Sequence, residues 1–266
     1  MNKLYHLRYL LFLLFLLSCR GRFYRVPSSA MEGTIMTGEH ITVIQADSFK
    51  RNDIVVFDHF ATDYSSGPDE EGNFKEHWEK RVHRLIAYSG DVLEIKKGDV
   101  YINGELVSPP PKAKLRYEVL STVSLEEFME IDPYTTSITK RGDTMAYQAD
   151  LTTEQAFNYR QRKPAIVSVN KIAPVFNSPD TSIVRSSAGD TWTTYDLGPL
   201  RIPAPGETIT INTINFKLYH NIPGVHTGNY LLKEKLYFVM GDNRYAAEDS
   251  RYIGFIPHSK MDGVVK

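Results

Sequence analysis

Leu236-Tyr237-Phe238-Val239-Met240-Gly241-Asp242-Asn243-Arg244-Tyr245-Ala246-Ala247-Glu248-Asp249-Ser250-Arg251-Tyr252-Ile253-Gly254-Phe255-Ile256-Pro257 is the stretch on which the fold turns. Its first five residues are apolar, aromatic or β-branched without interruption, which marks a buried strand. The strand stops at Gly241-Asp242-Asn243-Arg244, residue types that by themselves often make only a turn. Outward from here the chain repeats the strand signal. His40-Ile41-Thr42-Val43-Ile44 alternates and is β-branched, Asp53 to Phe57 reads as a buried strand, and Val82 to Ile86 and Val92 to Ile95 are further short strands. Val100 to Val107 reads as a hairpin, because Asn103-Gly104 readily adopts the positive φ angles of a type I′ turn. The expected class is therefore mainly β.

Asp58 to Glu79 is polar and holds Ser65-Ser66-Gly67-Pro68, so a long surface loop is expected there. Pro109-Pro110-Pro111 marks a boundary, beyond which the texture changes. Two helices are expected in that region, one over Ser124 to Met129 and one from Thr152 toward Arg160, with Gln155 placed to close a capping box. The expected organisation is a β core over residues 20–108 and 200–266, interrupted by a mixed α+β inserted subdomain over 109–199, and preceded by a membrane-targeting segment over 1–19.

Hydrophobic content of 42% and charged content of 24% suit a globular chain of 266 residues. A net charge of -1 offers no electrostatic footprint for nucleic acid. Neither an HExxH nor a CxxC pair occurs, so neither a metal site nor another cofactor is expected. Lys3, His6 and Arg8 precede the apolar run Leu10 to Leu17, which is far shorter than the roughly 20 residues of a membrane span. Leu16-Leu17-Ser18-Cys19 then resembles a bacterial lipobox, with the chain's single cysteine where lipidation needs it. A lipidated N-terminus and a short uncleaved anchor both remain open. Either would place the rest of the chain outside the cytoplasm, against membrane lipid.

Three blocks carry a family resemblance. Pro27-Ser28-Ser29-Ala30-Met31-Glu32-Gly33-Thr34 resembles the first box of type I signal peptidases, P-S-x-S-M-x-P-T, with Ala30 in the nucleophile position. Val82-His83-Arg84-Leu85-Ile86-Ala87-Tyr88-Ser89-Gly90-Asp91 resembles the lysine box K-R-x-x-G-x-P-G-D without a gap, and puts His83 in the general-base position. Placing the base at Lys80-Arg81 instead would need three inserted residues, and in a strand each one-residue shift turns a side chain to the other face. The endoplasmic-reticulum and archaeal branch of the family has histidine here in a similar V-H-R-V-I context. The third block, Gly241 to Pro257, resembles G-D-N-R-D-N-S-x-D-S-R-x-W-G-x-[VI]-P, with Ala247 where bacterial relatives have the serine that hydrogen-bonds the lysine. Lys50-Arg51-Asn52-Asp53-Ile54-Val55-Val56-Phe57 is a weaker match to R-G-D-I-V-V-F. The motifs cover about Arg25 to Gly104 and Leu200 to Val265.

The resemblance implies an antiparallel β signal-peptidase fold of the bacterial S26 type and a serine endopeptidase that processes signal peptides. It also implies that Ser28 shares an oxyanion hole with the backbone N–H of Ala30, and that Asp242, Arg244, Asp249, Ser250 and Arg251 form the supporting frame. Asp249 and Arg251 are expected to be a structural ion pair. The changes fall on nucleophile, base and supporting hydroxyl, and losing one member of a catalytic unit removes most of its rate enhancement. Three readings stay open. One is a degenerate homologue binding extended peptides, the signal-peptide region of secreted proteins, or other partners. Another is an active endopeptidase using Ser29, which strand alternation argues against. The third is an Ala30 substitution in an otherwise competent Ser-His enzyme.

Overall fold

The computed structural model describes residues 21–63, 75–123, 137–162, 165–172 and 182–266. Strands numbered along the chain are β1 Gly21–Arg25, β2 His40–Ile44, β3 Ile54–Asp63, β4 Lys75–Tyr88, β5 Val92–Lys96, β6 Asp99–Ile102, β7 Glu105–Val107, β8 Lys114–Ser121, β9 Ser137–Arg141, β10 Thr144–Thr152, β11 Ile166–Lys171, β12 Leu197–Arg201, β13 Thr208–Ile211, β14 Gly228–Leu231, β15 Leu236–Met240, β16 Ile256–Pro257 and β17 Met261–Val265. Helices are short: α1 Thr153–Arg160, α2 Phe216–Tyr219 and α3 Ser250–Ile253.

The central sheet has seven strands in the order β1-β2-β17-β3-β4-β15-β16, all antiparallel. Because β3 alternates, Val55 and Phe57 pack with Leu85, Tyr237, Val239 and Ile256 on one face. Val56 packs with Val26, Met31, Val43 and Val82 on the other. The sheet is thus covered on both sides, which explains the unbroken apolar run of β15. A second sheet, β12-β5-β6-β7, carries the expected hairpin, with Asn103 and Gly104 both at positive φ (54° and 83°). A third, β11-β8-β10-β9, closes around its own core of Val119, Tyr147, Leu151, Ala156 and Tyr159.

The region Asp58–Glu79 is not a loop along its whole length. β3 and β4 continue through it as paired arms as far as Asp63 and Lys75, leaving only 64–74 outside the described residues. Cross-strand pairs compensate the polar composition: Phe60 and Trp78 rings lie 5.1 Å apart, and Lys80 Nζ lies 3.1 Å from Asp58 Oδ1. α1 starts where expected, with Thr152 and Gln155 closing a reciprocal capping box. The helix expected over Ser124–Met129 lies outside the described residues, as do residues 1–20 with Cys19. Ile183, Val184, Trp192 and Leu197, from the 109–199 span, pack with Leu93, Phe238 and Phe255 in the main core. The self-contained sheet therefore occupies a shorter part of that span.

Candidate functional site around Ala30 and His83

Beyond β1 the chain turns inward. Gly38 N–H donates to Val26 O and Val26 N–H to Glu39 O, each at 2.9 Å, which closes the base of the 26–39 loop. Ser28 is extended and exposed, and its hydroxyl makes no capping bond. Ser29–Met31 forms one 3-10 turn, with Ala30 and Met31 buried. Ser29 is therefore not in a strand, and the alternation argument does not apply to it.

The 241–247 segment folds against this turn. Asn243 N–H donates to Ala30 O at 2.9 Å, and Asn243 Nδ2 donates to Ser29 O at 3.2 Å. A Cβ on Gly241 would overlap both the Ala247 methyl and the Ala30 carbonyl oxygen. Ala30, Gly241 and Ala247 thus meet at one point, packed too closely for any side chain at 241.

Two carboxylates anchor the segment. Asp242, fully buried, receives Arg84 Nε at 2.8 Å and Nη2 at 2.6 Å, and Thr34 Oγ1 at 2.5 Å. Asp249, also fully buried, receives Arg251 Nε and Nη2, both at 2.8 Å, and Gly241 N–H at 3.0 Å, while capping α3. Burial alone would raise the Asp249 pKa, but the adjacent Arg251 guanidinium holds it below the usual carboxylate range. Ser250 Oγ accepts Val239 N–H at 2.9 Å, and Arg251 Nη2 donates to Arg244 O at 2.6 Å. Asp91 takes Arg51 Nη2 at 2.9 Å and Asn103 Nδ2 at 3.0 Å, tying the end of the second motif to the hairpin.

His83 lies on β4 opposite Val55, its ring 5.5 Å from that of Phe57. The Ser29–Met31 turn packs on the same strand. Both ring nitrogens are buried and make no hydrogen bond within the described structure. Burial pushes the pKa down to about 4; Asp249 opposes this and Arg81 adds to it. The imidazole is neutral at physiological pH and has an unused lone pair, so it can accept a proton, though weakly. Ala30 offers none.

The structure thus gathers Ala30, His83, Ala247, Asp242 and Asp249 at one place, with Ser28 at its exposed rim. Sequence reasoning missed Thr34 and the Arg84–Asp242 pair. A signal was available, since a charge inside the apolar run Val82–Ile86 needs a buried partner.

A family model described as signal peptidase, peptidase S26, matches residues 4–174 and 187–266. The match runs through much of the span that the motifs left unassigned. The chain is 34% identical to Signal peptidase I of Bacillus licheniformis over 99 residues, 36% of this chain and 45% of that protein. It is 24% identical to Signal peptidase I of Aquifex aeolicus over 258 residues, 96% of this chain and 77% of that protein. The first match therefore spans less than half of its relative. With its mainly antiparallel β architecture and a family match over nearly its whole length, this chain belongs to the S26 signal peptidase family.

Proposed function

We propose that this protein is a catalytically degenerate signal peptidase homologue that binds extended peptides, or a partner's extended segment, without cutting them. The carrying observation is the methyl of Ala30. It sits on a turn whose carbonyls are held by Asn243, behind which Ala247 supplies a second methyl. The ion-paired frame around it is intact, and the reactive hydroxyl is missing. Among the described residues β1 is an edge strand of the central sheet, and it ends three residues before this turn. A peptide added along that edge would arrive at Ala30 through main-chain hydrogen bonds, with Ser28 able to polarise its carbonyl. Membrane attachment through residues 1–19, with or without a lipid on Cys19, would hold the site at the outer membrane face. Among the described residues no helix is long and apolar enough to cross a membrane.

A second reading rests on His83. Its bare, neutral ring could serve a serine at position 30, so the chain would be one substitution from a Ser-His peptidase. Cleavage of a standard signal-peptide substrate by wild type, Ala30→Ser, and Ala30→Ser with His83→Lys separates the two readings. The expected result is binding without cleavage by wild type and continued silence of Ala30→Ser. Cleavage regained by Ala30→Ser alone favours the second reading, and cleavage by wild type overturns both. Mass analysis of the mature N-terminus tests lipidation of Cys19.

A further inference from the structure

A cavity of about 270 Å³ lies where the third sheet meets the main core. Leu115, Arg116 and Lys171 line it from the third sheet, facing Ile95, Met240, Arg244 and Arg251. The two bodies are joined beside it by main-chain bonds: Lys114 N–H to Asp242 O at 2.8 Å, and Arg244 N–H to Lys114 O at 3.1 Å.

Three of the four cations on its wall are neutralised. Arg116 holds Asp150 at 2.5 and 2.8 Å, Lys171 holds Asp99 at 2.6 Å, and Arg251 holds Asp249. Arg244 is different. It is more than nine-tenths buried and has no carboxylate partner among the described residues. Its Nη1 reaches only the thioether of Met240, at 3.5 Å, and its Nε reaches nothing. Burial and the nearby Arg251 lower its pKa to about 10, against the opposing pull of Asp249 and Asp242, and it stays charged at neutral pH. Those two carboxylates are already ion-paired, with Arg251 and Arg84 respectively, so the three guanidiniums outnumber the two carboxylates by one and the wall carries a net positive charge beside apolar surface, which is unfavourable when desolvated. Tyr245, half exposed, stacks over the Arg116 guanidinium at 3.4 Å and forms part of the wall.

We propose that this cavity binds an organic carboxylate with a short apolar body, its charge meeting Arg244 and its body lying against Ile95 and Leu115. One free charge matches a monoanion better than a phosphate dianion. The volume, just below the usual range of about 300–1,000 Å³ for ligand pockets, suits a small acid or a single residue. The carboxylate could come from a free acid or from a peptide terminus, and the inference is independent of the peptide-binding reading at Ala30.

Calorimetric titration of the full chain in non-ionic detergent with hexanoate, hexan-1-ol and inorganic phosphate tests it. Hexanoate is expected to bind at least about tenfold more tightly than either of the others. Arg244→Met should weaken hexanoate by a similar factor. Leu115→Trp, which keeps Arg244 and fills the space, should do the same and guards against a folding defect in the first variant. The proposal is overturned if hexan-1-ol binds as well as hexanoate, if phosphate binds more tightly, if both folded variants keep wild-type hexanoate affinity, or if hexanoate fails to saturate in the millimolar range. Acetyl-Ala-Ala-Leu with a free terminus, set against its amide, identifies the source. Competition by the acid alone supports a peptide carboxylate, and competition by neither supports a free organic acid.

Discussion

An imidazole sealed among Val55, Phe57 and Leu85 loses its bonds to water, and His83 regains none of them. Leaving a buried polar group unpaired costs about 1–3 kcal/mol, whereas an apolar group of similar size avoids that loss. His83→Leu is therefore expected to fold as stably as wild type, or up to about 2 kcal/mol more so, near pH 7.5. A denaturant midpoint clearly below wild type would show that His83 has a partner the structure does not reveal. At this scale the site was readable where spacing alone decides. Ala30, His83 and Ala247 each stand at a counted distance from a recognisable Gly, Asp or Arg. Pairing was harder to read, because which arginine meets which carboxylate depends on segments about 160 residues apart, as for Arg84 and Asp242. Nothing in Gly241-Asp242-Asn243-Arg244 signals that Arg244 is left without a carboxylate while Arg251 takes Asp249.

The strand ends show a similar limit among the elements. β2, β5 and β15 were legible because alternation or unbroken apolar runs identify them, and β6 and β7 because Asn103-Gly104 marks the turn between them. The outer arms of β3 and β4 were not, since their charged residues look solvated until the register places Lys80 opposite Asp58 and Phe60 opposite Trp78. The turn at Ser29–Met31 escaped for a related reason: a single 3-10 turn is too short to show a period. β4 also supplies the guanidinium that holds the 241–247 segment. Removing one partner of a buried pair typically costs about 3–5 kcal/mol, because the other charge stays buried. Arg84→Met should lose stability in that range, with Thr34 left as the one hydrogen-bond donor to the Asp242 carboxylate among the described residues. Adding Asp242→Asn to that variant should recover part of the loss, as expected for coupled neighbours. Chemical unfolding measures both, and an Arg84→Met loss below about 1 kcal/mol would mean the pair contributes little beyond geometry.

Across the whole molecule, two buried histidines, His59 and His83, and the half-buried His220 make stability depend on pH in one direction. Burial is the main cause for each. It lowers His83 to about 4 and His59 to about 3, and it lowers His220 as well. Arg81 pushes both His83 and His59 further down, while the Asp249 and Asn221 side chains, respectively, oppose the shift. A histidine in the unfolded chain titrates near 6.5. Above that value neither state binds the proton, and the contribution of neutral burial is fully present. As pH falls from 6.5 toward 4, the unfolded chain takes up protons that the fold excludes, so stability declines. His83 alone accounts for about 3 kcal/mol over that interval. Asp249 and Glu207 have the opposite history. Their depressed pKa values add stability above the unfolded values of 3.8 and 4.5 that begins to be lost only below about pH 5, so the slope between 6.5 and about 5 belongs to the imidazoles. Guanidinium midpoints of the full chain near pH 7.5, 6 and 4.5 should fall steadily. His83→Leu should remove its share of the slope while leaving that of His59, which keeps its 3.1 Å bond to Asn221 Oδ1. A flat wild-type profile between pH 7.5 and 4.5, or a His83→Leu profile parallel to it, would mean that water reaches these rings and that the ground behind Ala30 is not dry.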